Sequence, residues 1–149
     1  MTTYTDDKLS KHLDEMKVIV KLHYKESRPY EDIPLEVNWK MLIKLNDMGV
    51  LKFYTMKEPL GKLIGYATFM LHNPMEYSSS LQASMTNIFL HPNHRGNGGE
   101  FISWCDEQLK KQGVQVVYHH VKAKNDYGVL LKRLGYDIMN LEYSKRLDK

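Results

Sequence analysis

Apolar residues along the chain recur with two periods, and the switches between them lay out the elements. Leu9, Leu13, Met16 and Val20 fall at steps of four, three and four, one stripe of a helix expected over residues 6–24 with Thr5 as its N-cap. A second helix is expected to open at Pro34, to bury Leu35, Trp39, Leu42 and Leu45, and to end at Gly49, which is free to take the left-handed conformation that closes a helix. The polar link 25–32 between them is expected at the surface. Residues 50–57 read as a strand, 58–61 as a turn and 62–71 as a second strand. That second strand is apolar on both faces, as a central strand would be, and Gly65 inside it marks a bulge or a close approach of another backbone.

Residues 72–80 have loop composition, and 82–91 return to strand character. The elements then alternate. Residues 100–111 place Phe101, Trp104, Cys105 and Leu109 on one helical face, and 114–121 form a β-branched strand. Residues 126–134 place Tyr127, Leu130, Leu131 and Leu134 on another helical face, and Gly135 ends that helix before a last strand over 136–143. The order α-α-β-β-β-α-β-α-β predicts a mixed sheet with a β-α-β unit near its centre.

Length fits this reading: 149 residues make one domain, large enough to bury roughly two-thirds of its unfolded surface. No apolar run reaches the roughly 18 residues of a membrane span, and the N-terminus lacks the basic-then-apolar order of a signal peptide, so a cytoplasmic protein is expected. The single Cys105 has apolar neighbours at helical spacing and reads as a buried hydrophobe. Residues 1–90 hold eleven Lys/Arg against eleven Asp/Glu, and residues 91–149 hold ten against seven, so the whole excess of +3 lies in the second part. A mildly basic half suits a phosphorylated ligand; it is too weak and too interspersed for nucleic acid.

That half contains N-I-F-L-H-P-N-H-R-G-N-G-G-E-F-I-S-W, residues 87–104, with three of the nine glycines within four positions. A strand feeding through glycines into a helix leaves the first helical N–H groups unpaired and turns the positive end of the helix dipole outward, a ready site for phosphate. Arg95 adds a fixed charge with five donors. Neither common nucleotide signature is present, since a P-loop needs Gly-Lys-Ser/Thr and a dinucleotide fold needs its glycines near the first strand. A tight turn made of ordinary turn formers is the competing reading of the same residues.

The run L-H-P-N-H-R-G-N-G-G, with the amphipathic helix, strand and short helix after it and the ending L-G-Y-D-I-M-N-L-E-Y-S-K-R-L, resembles the Gcn5-related N-acetyltransferases over residues 35–147. Y-H-H-V-K-A-K-N-D and L-K-R-L-G-Y look like a branch common in bacteriophages and prophages. The resemblance implies a GNAT-like α/β fold, a mixed, mostly antiparallel, splayed sheet with helices on both faces. It implies acetyl-coenzyme A as co-substrate and direct transfer to an amine acceptor, protein or small molecule, in a ternary complex within the cytoplasm, the host's if the chain is phage-encoded. No metal is expected, because His91, His94, His119 and His120 have no Cys partner and form no H-E-x-x-H. A homodimer is common in such enzymes. By the same resemblance the amides of Asn97, Gly98, Gly99 and Glu100 hold the pyrophosphate beside Gly96 and Arg95. Ile88, Phe89 and Leu90 offer backbone groups to pantetheine, and Asn125 and Tyr127 fall near the sulfur end.

Two departures stand out: Glu100 replaces a small residue of the family pattern, and Leu131 stands where many members carry a tyrosine that protonates the leaving thiolate. Tyr127, one turn earlier on the same face, is the candidate substitute, with a core tyrosine among leucines as the competing reading. The acceptor's ammonium must lose a proton before attack. The strand before the loop has no carboxylate, and Asn87 can orient a water but not act as a base. His119 and His120 lie near the next strand's end on opposite faces, so at most one points into the cleft, with His120 favoured. Glu76, with Tyr77, is the other candidate, on a loop placed to wall the acceptor site. The competing reading is a catalytically weak or inactive module that binds coenzyme A and acts through a protein partner.

Overall fold

A computed structural model describes residues 2–149. Five strands, β1 (Thr3–Asp6), β2 (Leu51–Lys57), β3 (Leu63–His72), β4 (Gln82–Leu90) and β5 (Val116–His119), form one sheet in chain order. All pairings are antiparallel except β4 with β5. The helices are α1 (Leu13–Ser27), α2 (Trp39–Asp47), α3 (Gly98–Lys111) and α4 (Gly128–Arg133).

Strand alternation builds two cores, one on each face. In β2, Phe53 points to one side and joins Leu9, Met16, Ile19, Val20 and Tyr66 with α1 and α2 packed over them. Its neighbour Tyr54 points to the other and joins Met56, Phe69, Phe101, Cys105 and Leu109 under α3. β3 is buried on both faces along most of its length, the position its continuous apolar run implies. Cys105 is fully buried, and burial raises its thiol pKa well above the ordinary value, so it packs as a hydrophobe.

Several boundaries differ from the sequence expectation. Thr5 does not cap a helix: it lies in β1, paired with Thr55, and its hydroxyl donates to Asp7. Polar Thr3–Asp6 forms an edge strand that the apolar period could not show. The stripe from Leu9 continues through a 3-10 turn at Leu9–His12 before α1 begins, and α1 runs on to Ser27, into the supposed link. The second helix starts at Trp39 rather than Pro34, because the Asn38 side chain accepts from the Met41 N–H at 3.0 Å and fixes the N-terminus there. Gly49, at φ 80°, closes it.

The strand expected over 114–121 is only Val116–His119, and no strand forms over 136–143: that segment pairs with no other, and Ile138, Met139 and Leu141 are exposed. Ile138 and Met139 are adjacent, so the alternation a strand would need breaks in the middle of the segment. The glycine stretch is wound too: Pro92–Asn97 is a 3-10 turn running straight into α3 at Gly98.

The feature that shapes the site is an irregularity in β4. Thr68 pairs with Asn87 but the next residue, Phe69, pairs with Met85, so Thr86 is an extra residue, a β-bulge. The bulge reverses the strand's phase. Ala83 and Met85 belong to the α3 core, Phe89 belongs to the α1 and α2 core, and Ile88 and Leu90 return to the α3 side. Asn87 is thereby turned toward α1.

Candidate active site

β4 and β5 run in register only from Gln82/Val116 to Met85/His119, and there they part. From Thr86 to Leu90 the side of β4 away from β3 faces no strand, and a cleft of about 300 Å³ opens between it and the chain beyond His119. An unpaired strand edge carries N–H and C=O groups that must be satisfied by something. One is satisfied internally: the Leu90 carbonyl accepts from Arg95 Nε at 3.1 Å. The others are available to an extended ligand laid along β4.

Ile88, Phe89, Leu90, Arg95, Gly98, His120, Asn125 and Tyr127 all line the cleft. Gly96, Asn97, Gly99, Glu100, His119 and Glu76 do not. Gly98 and Gly99 sit under α4: a Cβ on Gly99 would lie 3.1 Å from Leu130 Cδ1 and one on Gly98 3.6 Å from Leu130 Cδ2. The glycines thus let the start of α3 pack against α4, and the Gly98 N–H is spent on the Arg95 carbonyl. Glu100 is exposed and directed away from the cleft, and after burial its charge is among the causes that raise the pKa of Tyr4 in β1.

Arg95 is not a free cation. Its Nη2 bonds both carboxylate oxygens of Glu26 on α1, at 2.9 and 2.5 Å, and its guanidinium lies 5.7 Å from the centroid of the Phe89 ring. Lys122 is the second cation lining the cleft. Its Nζ donates to the Ser27 carbonyl at 3.1 Å and sits 5.5 Å from the Tyr24 ring centroid, and burial lowers its pKa.

The adjacent histidines face opposite ways. His120 is exposed and lines the cleft. His119 is turned into the core, its ring edge-on to Phe69, Tyr127 and Tyr136, and shares a 3.0 Å hydrogen bond with the Tyr127 hydroxyl. Burial, with the neighbouring His120 adding to it, pushes His119 down to about 4, so it is neutral near pH 7. Burial also raises Tyr127 well above the usual phenol range. Glu76 lies in a 3-10 turn at Met75–Tyr77, exposed and outside the cleft.

Residues of α1 that the linear motif did not reach complete the wall: His23, Glu26 and Ser27. His23 shares a 2.6 Å hydrogen bond with the Tyr66 hydroxyl, stacks on Phe89 at 5.0 Å between centroids, and is pushed by burial to about 4. Tyr24 donates to the Asn87 side-chain oxygen at 2.8 Å. The bulge had a signal in the sequence: the apolar positions Ala83, Met85, Ile88 and Leu90 step by two, three and two, and the step of three is where the phase reverses.

The parallel pair of the mixed sheet, β4 and the edge strand β5, thus parts over a cleft lined by Arg95 and Lys122. The acetyltransferase (GNAT) family profile matches residues 13–136, and the chain belongs to that family, which places it among the N-acetyltransferases. The fold is similar to that of a predicted acetyltransferase with acetyl-CoA from Clostridium acetobutylicum (12% identity, 99% of this chain and 97% of that one, TM-score 0.73). It is similar to a ribosomal-protein-alanine N-acetyltransferase from Brucella melitensis biovar Abortus (13%, 99% of both chains, 0.75) and a glucosamine-6-phosphate N-acetyltransferase from Arabidopsis thaliana (13%, 99% of both chains, 0.72). No curated protein matches it by sequence. The resemblance to a bacteriophage branch finds no support in these comparisons. No helix among the described residues is long and apolar enough to cross a membrane.

Proposed function

We propose that the chain transfers the acetyl group of acetyl-coenzyme A to a primary amine by direct attack, within one ternary complex. The observation that carries this reading is the parting of β4 and β5 at Met85/His119, which leaves a strand edge free beside two cations. The cleft fits the coenzyme chemically. Ile88, Ile102 and Leu130 give an apolar wall for pantetheine, the β4 edge gives it backbone partners, and Arg95, Lys122 and the start of α3 give the diphosphate positive charge. A diphosphate at Arg95 competes with Glu26 for the same donors.

In the reaction the amine nitrogen bonds to the thioester carbonyl carbon and the C–S bond breaks, releasing the thiolate. His120 takes the ammonium proton, directly or through water, and a β4 backbone N–H supports the oxyanion. Tyr127, held protonated by burial, gives its proton to the thiolate, and the second proton lost from the attacking nitrogen as the amide forms restores the phenol. A cytoplasmic location accords with this co-substrate.

Calorimetric titration with acetyl-coenzyme A tests the binding half. The wild type should bind at micromolar Kd, and Arg95→Glu and Gly98→Trp, which invert the charge and fill the cleft, should each weaken binding at least about tenfold. His120→Ala should keep that Kd within about twofold while kcat/KM falls roughly 100-fold or more. Tight binding with no turnover on any amine would favour instead a module that holds coenzyme A and acts through a protein partner.

A further inference from the structure

A second cavity, of about 250 Å³, lies on the other side of β4, between the sheet and the α1 and α2 layer. Its floor is core: Leu9, Leu51 and Tyr66 are among the most deeply buried residues of the chain. Trp39, Leu42 and Val37 form its walls, and its mouth is at the exposed pair Leu35 and Glu36. Protein interiors pack like organic crystals with few voids larger than a water, so a hole of this size, lined mostly by aliphatic and aromatic side chains with Thr68 and Asn87 on the sheet side and open to solvent, suits a largely apolar occupant. An apolar cavity of about 150 Å³ is already enough to take up a benzene ring.

Two further observations say what the occupant carries. Asn87 lines both cavities, so the residue turned by the Thr86 bulge is the partition between them. Glu36 is the single charged residue lining the second cavity. Asp32, in the same α1 to α2 connection, is already occupied: Arg146 grips both its oxygens, at 2.8 and 3.2 Å, and Lys149 lies at 3.0 Å. A polyamine or an aminoglycoside would bring several positive charges to one carboxylate; a monoamine brings one.

We propose that this cavity is the acceptor site and that the acceptor is a small primary amine with a single positive charge on an apolar body of about one aromatic ring. The body lies against Trp39, Leu42 and Val37, Glu36 draws in the ammonium, and the nitrogen is presented beside Asn87. The proposal rests on the acetyl-transfer reading above and names its substrate class.

The probe is 2-phenylethylamine, with ethylamine and spermidine as comparators. Its binding should give a saturable change in Trp39 fluorescence at sub-millimolar concentration, absent with ethylamine, and its kcat/KM should exceed that of ethylamine at least about 30-fold. Val37→Phe, which thickens the wall and narrows the cavity, should remove that preference while acetyl-coenzyme A binding is kept. Glu36→Gln should raise the amine KM roughly three- to tenfold at unchanged kcat. Absence of saturable 2-phenylethylamine binding overturns the proposal, as does spermidine or ethylamine as the equal or better substrate. Loss of acetyl-coenzyme A binding would instead strike the transfer reading, because the fluorescence titration reads the amine site without the co-substrate.

Discussion

At the scale of single residues, a glycine can admit the close approach of the protein's own atoms. Gly65 does so: a Cβ there would meet the Phe89 carbonyl oxygen at 3.0 Å and Met56 Cε at 3.2 Å. The oxygen is backbone in the neighbouring strand and cannot step aside. Gly65→Ala gains under about 1 kcal/mol from a less flexible unfolded chain, and the overpacking costs about 1–3 kcal/mol, so destabilisation wins. The urea midpoint should fall while the transition slope stays unchanged, and a rise would refute the crowding. The sequence suggested a phosphate loop at Gly98 and Gly99, and of the two only Gly98 lines the cleft. What the sequence did not disclose is that both also face Leu130, because that contact joins two helices thirty residues apart.

At the scale of elements, the apolar period located α1, β2, β3, β4 and α3 because each buries a regular face. It misplaced ends wherever a polar group, and not an apolar one, sets the boundary. The start of α2 is the clearest case. The Asn38 cap satisfies one of the orphan N–H groups of a helix that a start at Pro34 would have opened five residues too early. Asn38→Ala should therefore cost about 1 kcal/mol, readable as a lower urea midpoint, and Asn38→Asp should restore it. Equal stability of all three would mean that Trp39 and Leu42, packed against the core, alone hold the helix start. The same distinction explains the site. Arg95, His120 and Asn125, singled out from the linear motif, line the cleft. His23, Glu26 and Ser27, from α1, enter only through the order of the sheet, some seventy positions before the loop they face.

At the scale of the whole molecule, the two cores each enclose a histidine, and together they set an acid limit on the fold. His23 lies against Tyr66 and Phe89, and His119 lies among Phe69, Tyr127 and Tyr136. Burial pushes both to about 4, below the ordinary 6.5 that each regains on unfolding. Between those values the unfolded chain binds more protons than the folded one, so stability rises with pH across this window and is lost as pH falls from 6.5 toward 4. Two protons give a slope of at most about 2.5 kcal/mol per pH unit near pH 5. Asp106 opposes them, because burial raises its carboxyl pKa and the folded state then takes up a proton first, offsetting up to half of that slope. Asp7 acts lower still. Burial alone would raise it, but hydrogen bonds from Lys57, Thr5 and Thr55 hold it down to about 2, so its contribution is lost only below the ordinary carboxylate range. Urea midpoints at pH 7, 6 and 5 should therefore decline most steeply over the last step. His119→Gln, which keeps a polar partner for Tyr127 without a titrating ring, should flatten the decline whatever it does to stability at pH 7. A slope unchanged in that variant would show that His119 is protonated in the folded protein, and that its pair with Tyr127 carries charge.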